Sequence, residues 1–338
     1  MQELKSSWVD IYIKYHRLLA NFDNKVQYVA LKTITPTSSP SKIKEELEFL
    51  ILLRGKFFTS PVITAVRKED QVIVVMPYFS HDSAMEYIPR MKEIDIKLYM
   101  AQLLFALSWL HTMNIIHRDV KPGNFLFSLS TRRGLLVDFG LAEYFDDSFQ
   151  EEKETKSTID AEIHRGLRET YGDGILPKDS RSQLKANRGG TRGFRAPEVL
   201  MRYKDQTPAI DLWAAGIVLL CLATKRFPFF QSNDDDDALV ELAIVFGRKK
   251  VEKAAAICNR VWKCNVPGIT DEGKFKTLKE LCQSLNPYDE WSDDLYDLLD
   301  KLLDFDFNSR ITSLDALQHK FINSQEVLEK LNKELLNF

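Results

Sequence analysis

The stretch His117-Arg118-Asp119-Val120-Lys121-Pro122-Gly123-Asn124 is followed, after an apolar run, by Asp138-Phe139-Gly140. Two carboxylates, an amide and a lysine thus stand at fixed offsets beside two strand-like runs, Asn114 to Ile116 and Leu135 to Val137. Transfer of a phosphoryl group leaves a protein little covalent work. It needs a carboxylate to orient the attacking hydroxyl and oxygen ligands for the magnesium ions that neutralise the phosphates. Asp119 is placed for the first task, Asn124 and Asp138 for the second. Magnesium favours oxygen ligands and keeps several waters, so one carboxylate, one amide oxygen and the phosphates of ATP suffice to hold it. Lys121, two residues beyond Asp119, brings positive charge to the transferring group, where preorganised charge lowers a barrier most. Either tripeptide alone commonly marks a turn. The whole set in one frame is a different matter.

That set resembles the catalytic and metal-binding segments of protein kinases. The resemblance implies an α+β, bilobal fold: a small β-rich N-lobe over residues 1–76, a larger helical C-lobe over 77–323 and a C-terminal tail over 324–338. Lys121 in this position implies Ser/Thr rather than Tyr specificity. Val29-Ala30-Leu31-Lys32 matches the strand whose lysine contacts the nucleotide phosphates and pairs with a glutamate on the next helix. Lys32 is that candidate, and Glu46 its expected partner, ahead of Glu45 and Glu48. Met76-Pro77-Tyr78-Phe79 follows an apolar strand and is expected to join the lobes. Met76 would border the nucleotide pocket, with backbone groups of Pro77 and Tyr78 at the adenine edge. Gly190-Thr191-Arg192-Gly193-Phe194-Arg195-Ala196-Pro197-Glu198 resembles the end of an activation segment. There Thr191 is expected to bond Asp119 and Lys121, Glu198 to pair with Arg310, and Asp211 to brace the catalytic-loop backbone.

The 338 residues suit two small domains or one bilobal unit. A net charge of −3 gives no global attraction to nucleic acid or an anionic membrane, so neither is expected as a direct partner. The apolar run Trp213 to Ala223 is too short to span a bilayer and reads as a buried helix. No signal-peptide pattern opens the chain, so it is expected to stay inside the cell. Cys221, Cys258, Cys264 and Cys282 form no C-x-x-C pair, which suits reduced thiols; a zinc site from the last three has poor spacing.

Tyr28 to Ile34 and Gln71 to Met76 are rich in β-branched residues and predict strands. Between them, Ile43, Leu47, Leu50 and Ile51 recur at helical spacing over Lys42 to Leu53, after Ser38-Ser39-Pro40. An amphipathic helix is expected over Ile96 to His111. Further helices are expected over Ala209 to Ala223, Asp236 to Phe246, Trp291 to Leu303 and Leu314 to Leu317. The run Asp234 to Asp237 reads as a helix start, where negative charge meets exposed N–H groups. Residues 146–188 are polar and charge-segregated and read as an insertion in the activation segment. Leucines of Val327 to Leu336 recur at helical spacing.

The runs His117 to Leu126, Val137 to Glu143, Gly190 to Leu200, Tyr28 to Pro40, Val72 to Tyr78 and Arg226 to Phe230 together resemble the cell-division-cycle-seven kinases. That resemblance implies a nuclear Ser/Thr kinase using ATP and Mg2+. It also implies activation by a regulatory subunit of the dumbbell-former type, and phosphorylation of minichromosome-maintenance helicase subunits, the replicative helicase, beside acidic or already phosphorylated residues. Arg192 and Arg195 would favour such sites, because guanidinium forks bind carboxylate and phosphate well. The chain departs from the pattern at one point. No glycine precedes Gly55. The Gly-rich loop expected upstream of Lys32 is therefore missing, with Ser6-Ser7-Trp8-Val9 as a remnant, and the chain is expected to begin inside a kinase domain. The competing expectations are a kinase-like binding module with impaired catalysis and a casein-kinase-like acid-directed kinase.

Overall fold

The computed structural model describes residues 16–22, 25–34, 40–68, 71–145 and 189–335. The residues expected to hold a Gly-rich-loop remnant, Ser38-Ser39 and the 146–188 insertion lie outside the described residues. The chain divides into two compact units, one of residues 1–56 and 60–80, the other of 57–59 and 81–338.

In the first unit, β1 (His16–Phe22), β2 (Lys25–Ile34), β3 (Thr64–Lys68) and β4 (Gln71–Pro77) form one antiparallel sheet in the order β1-β2-β4-β3. Alternation along β2 puts Val29 and Leu31 on one face with Val75 and Ile73, a small apolar cluster. The β2–β4 register sets Lys32 opposite Val74 and Ala30 opposite Met76. Helix α1 (Pro40–Leu53) begins on a proline, whose missing N–H costs nothing in a first turn. Its buried stripe is Glu46, Phe49, Leu50 and Leu53. The stripe read from the sequence is rotated: Ile51 is exposed while Glu46 is buried. A buried carboxylate is admitted to an apolar face only with a partner, and Glu46 has one in Lys32.

The second unit is mainly helical. After the short α2 (Ala84–Tyr87) comes α3 (Glu93–Thr112), followed by the strand pairs β5 (Ile115–Ile116) with β8 (Glu143–Tyr144) and β6 (Phe125–Ser128) with β7 (Arg133–Leu136). Next come α4 (Pro197–Leu200), α5 (Ala209–Thr224), α6 (Asp235–Phe246), α7 (Arg248–Ile257), α8 (Leu278–Leu285), α9 (Asp293–Leu302), α10 (Ser313–Gln318) and α11 (Gln325–Leu335). Asp234 caps α6, accepting from the Asp237 N–H at 2.8 Å, as the acidic run implied. Helix α3 is not amphipathic. It is buried on nearly every side, against α5, α10, α11 and β7. Helix α11 joins this packing through Val327 and Leu331, so the leucine-spaced terminal run is part of the unit. Phe57 and Phe58 belong here because their rings meet Phe105, and Phe57 also meets Trp109 at 4.8 Å between centroids. Among the described residues no helix is long and apolar enough to cross a membrane, and no cluster of three or more His, Cys, Asp or Glu side chains is arranged to hold a metal ion.

One buried polar side chain fixes the sheet that carries the site to α3. Gln102 donates to the carbonyls of Leu98 and Arg132 at 3.1 and 2.8 Å and accepts from the Gly134 N–H at 2.7 Å. Gly134 must be glycine, since a Cβ there would lie 2.3 Å from the Phe125 ring. Replacing Gln102 by Leu keeps the volume but strands a buried N–H and a carbonyl. Thermal unfolding should show a loss of about 1–3 kcal/mol, and an unchanged midpoint would refute this role.

Candidate active site

Three of the expected residues, Lys121 and Asn124 from the loop between β5 and β6 and Thr191 from the segment before α4, gather around Asp119, which is buried. Its Oδ1 accepts from the Thr191 N–H at 2.8 Å and the Thr191 hydroxyl at 2.7 Å. Its Oδ2 accepts from Lys121 Nζ at 2.7 Å and Asn124 Nδ2 at 2.8 Å. Lys121 also donates to Thr191 Oγ1 at 2.5 Å. Burial pushes the Asp119 carboxyl up, but the bonds from Lys121 and Thr191 and the nearby positive charge outweigh it and hold it below the ordinary carboxylate range. The group is therefore an anion at neutral pH, able to accept a hydroxyl proton and fixed in direction by four donors.

The metal-ligand candidates are tied to the same loop. Asn124 spends its amide nitrogen on Asp119, on both the carboxylate and the backbone carbonyl, the latter at 2.9 Å. Its amide oxygen is left as the candidate ligand atom. Asp138 follows Val137, whose N–H donates to the Asn124 carbonyl at 2.9 Å and whose carbonyl accepts from His117 Nε2 at 3.1 Å. With Nε2 donating, His117 Nδ1 accepts from the Asp119 N–H at 3.3 Å, which fixes the neutral tautomer. The buried Phe139 ring lies 5.3 Å from the His117 ring. A carboxylate and an amide oxygen, with no thiol or imidazole among them, are the hard donors that suit Mg2+.

The loop backbone is held from below. Asp211, fully enclosed on α5, accepts the N–H groups of His117 and Arg118 at 2.8 Å each and bonds His111 Nε2 at 3.0 Å. Glu198 and Arg310 pair through two bonds, at 2.6 and 3.1 Å, in the interior. The expected partners of Thr191, Asp211 and Glu198 are thus the ones the structure brings together. Arg195 behaves otherwise: it is tied to Asp235 at 2.7 Å and to the Gly190 carbonyl, so its charge is already answered. Exposed Arg192 donates to the Asn233 carbonyl, a contact that leaves its charge unneutralised.

In the first unit Lys32 and Glu46 form a buried ion pair. Met76 is buried, with the Ser60 hydroxyl 3.5 Å from its sulfur. Tyr78 gives its N–H to the Tyr28 carbonyl at 3.1 Å, and Pro77 has none. Neither can donate to an adenine edge while that bond stands, so a backbone donor to the base must come from another residue.

A comparison with protein families bears directly on these features. The protein kinase domain family matches residues 19–322. The chain belongs to that family. It is 42% identical over 307 residues, covering 90% of this chain and 87% of the relative, to the probable cell division control protein 7 homolog 2 of Encephalitozoon cuniculi (strain GB-M1). It is also 42% identical over 312 residues, covering 88% of this chain and 62% of the relative, to the cell cycle serine/threonine-protein kinase hsk1 of Schizosaccharomyces pombe (strain 972 / ATCC 24843). The cell cycle protein kinase spo4 of the same yeast is 39% identical over 323 residues, with 89% and 74% covered. This kinase is accordingly a serine/threonine protein kinase of the cell division control protein 7 type, and its fold implies use of ATP with a divalent metal.

Proposed function

We propose that this kinase transfers the γ-phosphoryl group of ATP, with Mg2+, to serine or threonine beside acidic residues on subunits of the replicative helicase, in the nucleus and under a regulatory activator subunit. The observation that carries the chemistry is Asp119 held as an anion by Thr191, Lys121 and Asn124. In this reading Asp119 accepts the proton of the attacking hydroxyl, while Lys121 brings positive charge to the phosphoryl group in flight. Asn124 and Asp138 would hold the Mg2+, which supplies neutralisation of phosphate charge when bound. In the first unit, Lys32, kept in place by Glu46, would meet the nucleotide phosphates. Cell-cycle names among the relatives support the setting, and the helicase substrates and activator rest on the family resemblance.

The acid preference falls to Arg192, since Arg195 is satisfied by Asp235. Peptide pairs that differ only in an acidic or alanine residue after the target serine give the test. The parent should prefer the acidic peptide, and Arg192→Ala should reduce that preference by about fivefold, the size of an exposed ion pair. Equal use of both peptides by the parent would overturn the acid-directed reading. Radiolabelled ATP transfer to helicase subunits, with and without a co-purified activator, tests the rest.

A further inference from the structure

Arg118 has a backbone φ of 70° and a side chain only 5% exposed. A guanidinium so enclosed needs a negative partner. Asp211 is near, but its carboxylate is engaged by two loop N–H groups and His111. The ion pair is made with Glu143, through Nη1, while Nη2 donates to Gln206 Oε1 at 2.7 Å. Burial works against the Arg118 charge, and Glu143 and Asp211 oppose that effect. Glu143 is fixed by the sheet it belongs to. It opens β8 in register with Ile116, the residue directly before His117. Gln206 is anchored in turn to the Tyr203 carbonyl at 3.1 Å. Arg118 therefore ties residues on both sides of 146–188 to the loop that carries Asp119.

We propose that Glu143 is a positioning residue for phosphoryl transfer, holding the catalytic loop through Arg118 with a carboxylate built into β8, so that no phosphate on the chain is required for that task. Buried arginines of this kind are often answered by phosphate added to an activation segment, which orders the loop by charge-assisted bonds. A glutamate supplies the same sign of charge permanently. The proposal rests on the kinase reading, and its test separates the two.

The full chain is stripped of phosphate with a phosphatase, checked by intact mass before and after assay, and followed by hydrogen exchange over residues 115–121 and by steady-state kinetics. Phosphate removal should leave loop exchange and kcat within about twofold of the untreated protein. Glu143→Gln should speed exchange over the loop and lower kcat by about tenfold with KM for ATP held, the effect of a half-exposed partner to a buried charge. Glu143→Asp should recover most of the loss. The double variant Glu143→Gln with Arg118→Gln should be no worse than Arg118→Gln alone. Loss of loop protection on phosphate removal overturns the proposal. So does a Glu143→Gln protein with parental exchange, or losses that add in the double variant. If no variant, the parent included, transfers phosphate, the kinase reading fails, while hydrogen exchange still decides whether Glu143 holds the loop.

Discussion

Replacing Asp119 by Asn should lower kcat for phosphotransfer by about 10²- to 10⁴-fold, the usual contribution of a positioned general base. KM for ATP should change little, because Asp119 is placed for the hydroxyl and not for the nucleotide. The substitution keeps the shape of the side chain and removes its charge. An amide at this point can still accept from Thr191 through one oxygen, but its nitrogen would face the donors Lys121 and Asn124. Some loss of order around Lys121 is therefore expected alongside the loss of the base. The pH profile separates these contributions. Catalysis needs Asp119 ionised, and its carboxyl lies below the ordinary range. The acid limb that it governs should thus lie below the ordinary carboxylate range, with none near neutral pH. Incorporation that is unchanged in Asp119→Asn, measured with radiolabelled ATP beside the parent, would remove the catalytic assignment.

The catalytic loop was legible because chemistry fixes residue types at short offsets, and short offsets survive folding unchanged. Asp119, Lys121 and Asn124 all lie within one turn of chain, and the bonds among them are local. Thr191 lies 72 residues from Asp119, yet it was found because a second motif carried it. Asp235, the partner of Arg195, had no such motif, and the runs that carried Arg118 and Glu143 did not pair them. Both pairs are made by tertiary packing between segments whose sequences say nothing of one another. The assignment of Phe57 and Phe58 to the second unit has the same cause.

Three helices depart from their reading in the sequence, each for a different reason. Helix α7 buries Val251, Ala254 and Ala255, and alanines give a faint apolar stripe against so many lysines. Helix α8 has a clear signal in the sequence. Leu278, Leu281, Cys282 and Leu285 recur at helical spacing, and Thr277 and Glu280 form the sequence pattern of a capping box. The structure uses half of it: Thr277 Oγ1 accepts from the Glu280 N–H at 3.1 Å, whereas the Glu280 side chain accepts the N–H of Lys276, the residue before the cap. Helix α3 is present over the expected run, but it is not amphipathic. Surrounded by other elements, it has no solvent face for polar residues to mark.

Truncating Arg310 to Ala, or Glu198 to Ala, should destabilise the second unit by about 3–5 kcal/mol, because either change leaves one charge buried without its partner. The side chains are 0% and 2% exposed, so neither charge can turn to water. Arg310 does more than pair. It donates to the carbonyls of Ala209 and Asp304 at 2.8 Å each, and its guanidinium lies 5.2 Å from the centre of the Trp213 ring. Arg310 therefore holds α4, α5 and the turn before α10 to one point, and Lys could not reproduce the fork. Urea unfolding followed by tryptophan fluorescence reads this directly, with Trp213 against the pair. Replacing both residues by Met should cost less than either single alanine change, since no charge then stays buried, though the two carbonyls would still lose a donor. A single substitution costing under about 1 kcal/mol would place the pair among weakly contributing surface bridges, and a double variant as unstable as the sum of the singles would show that the two side chains act independently. The contrast with Arg118 is one of exposure. Glu143 is 44% exposed while Glu198 is sealed, so losing Glu143 should disturb the loop with little effect on stability, whereas losing Glu198 should weaken the unit itself.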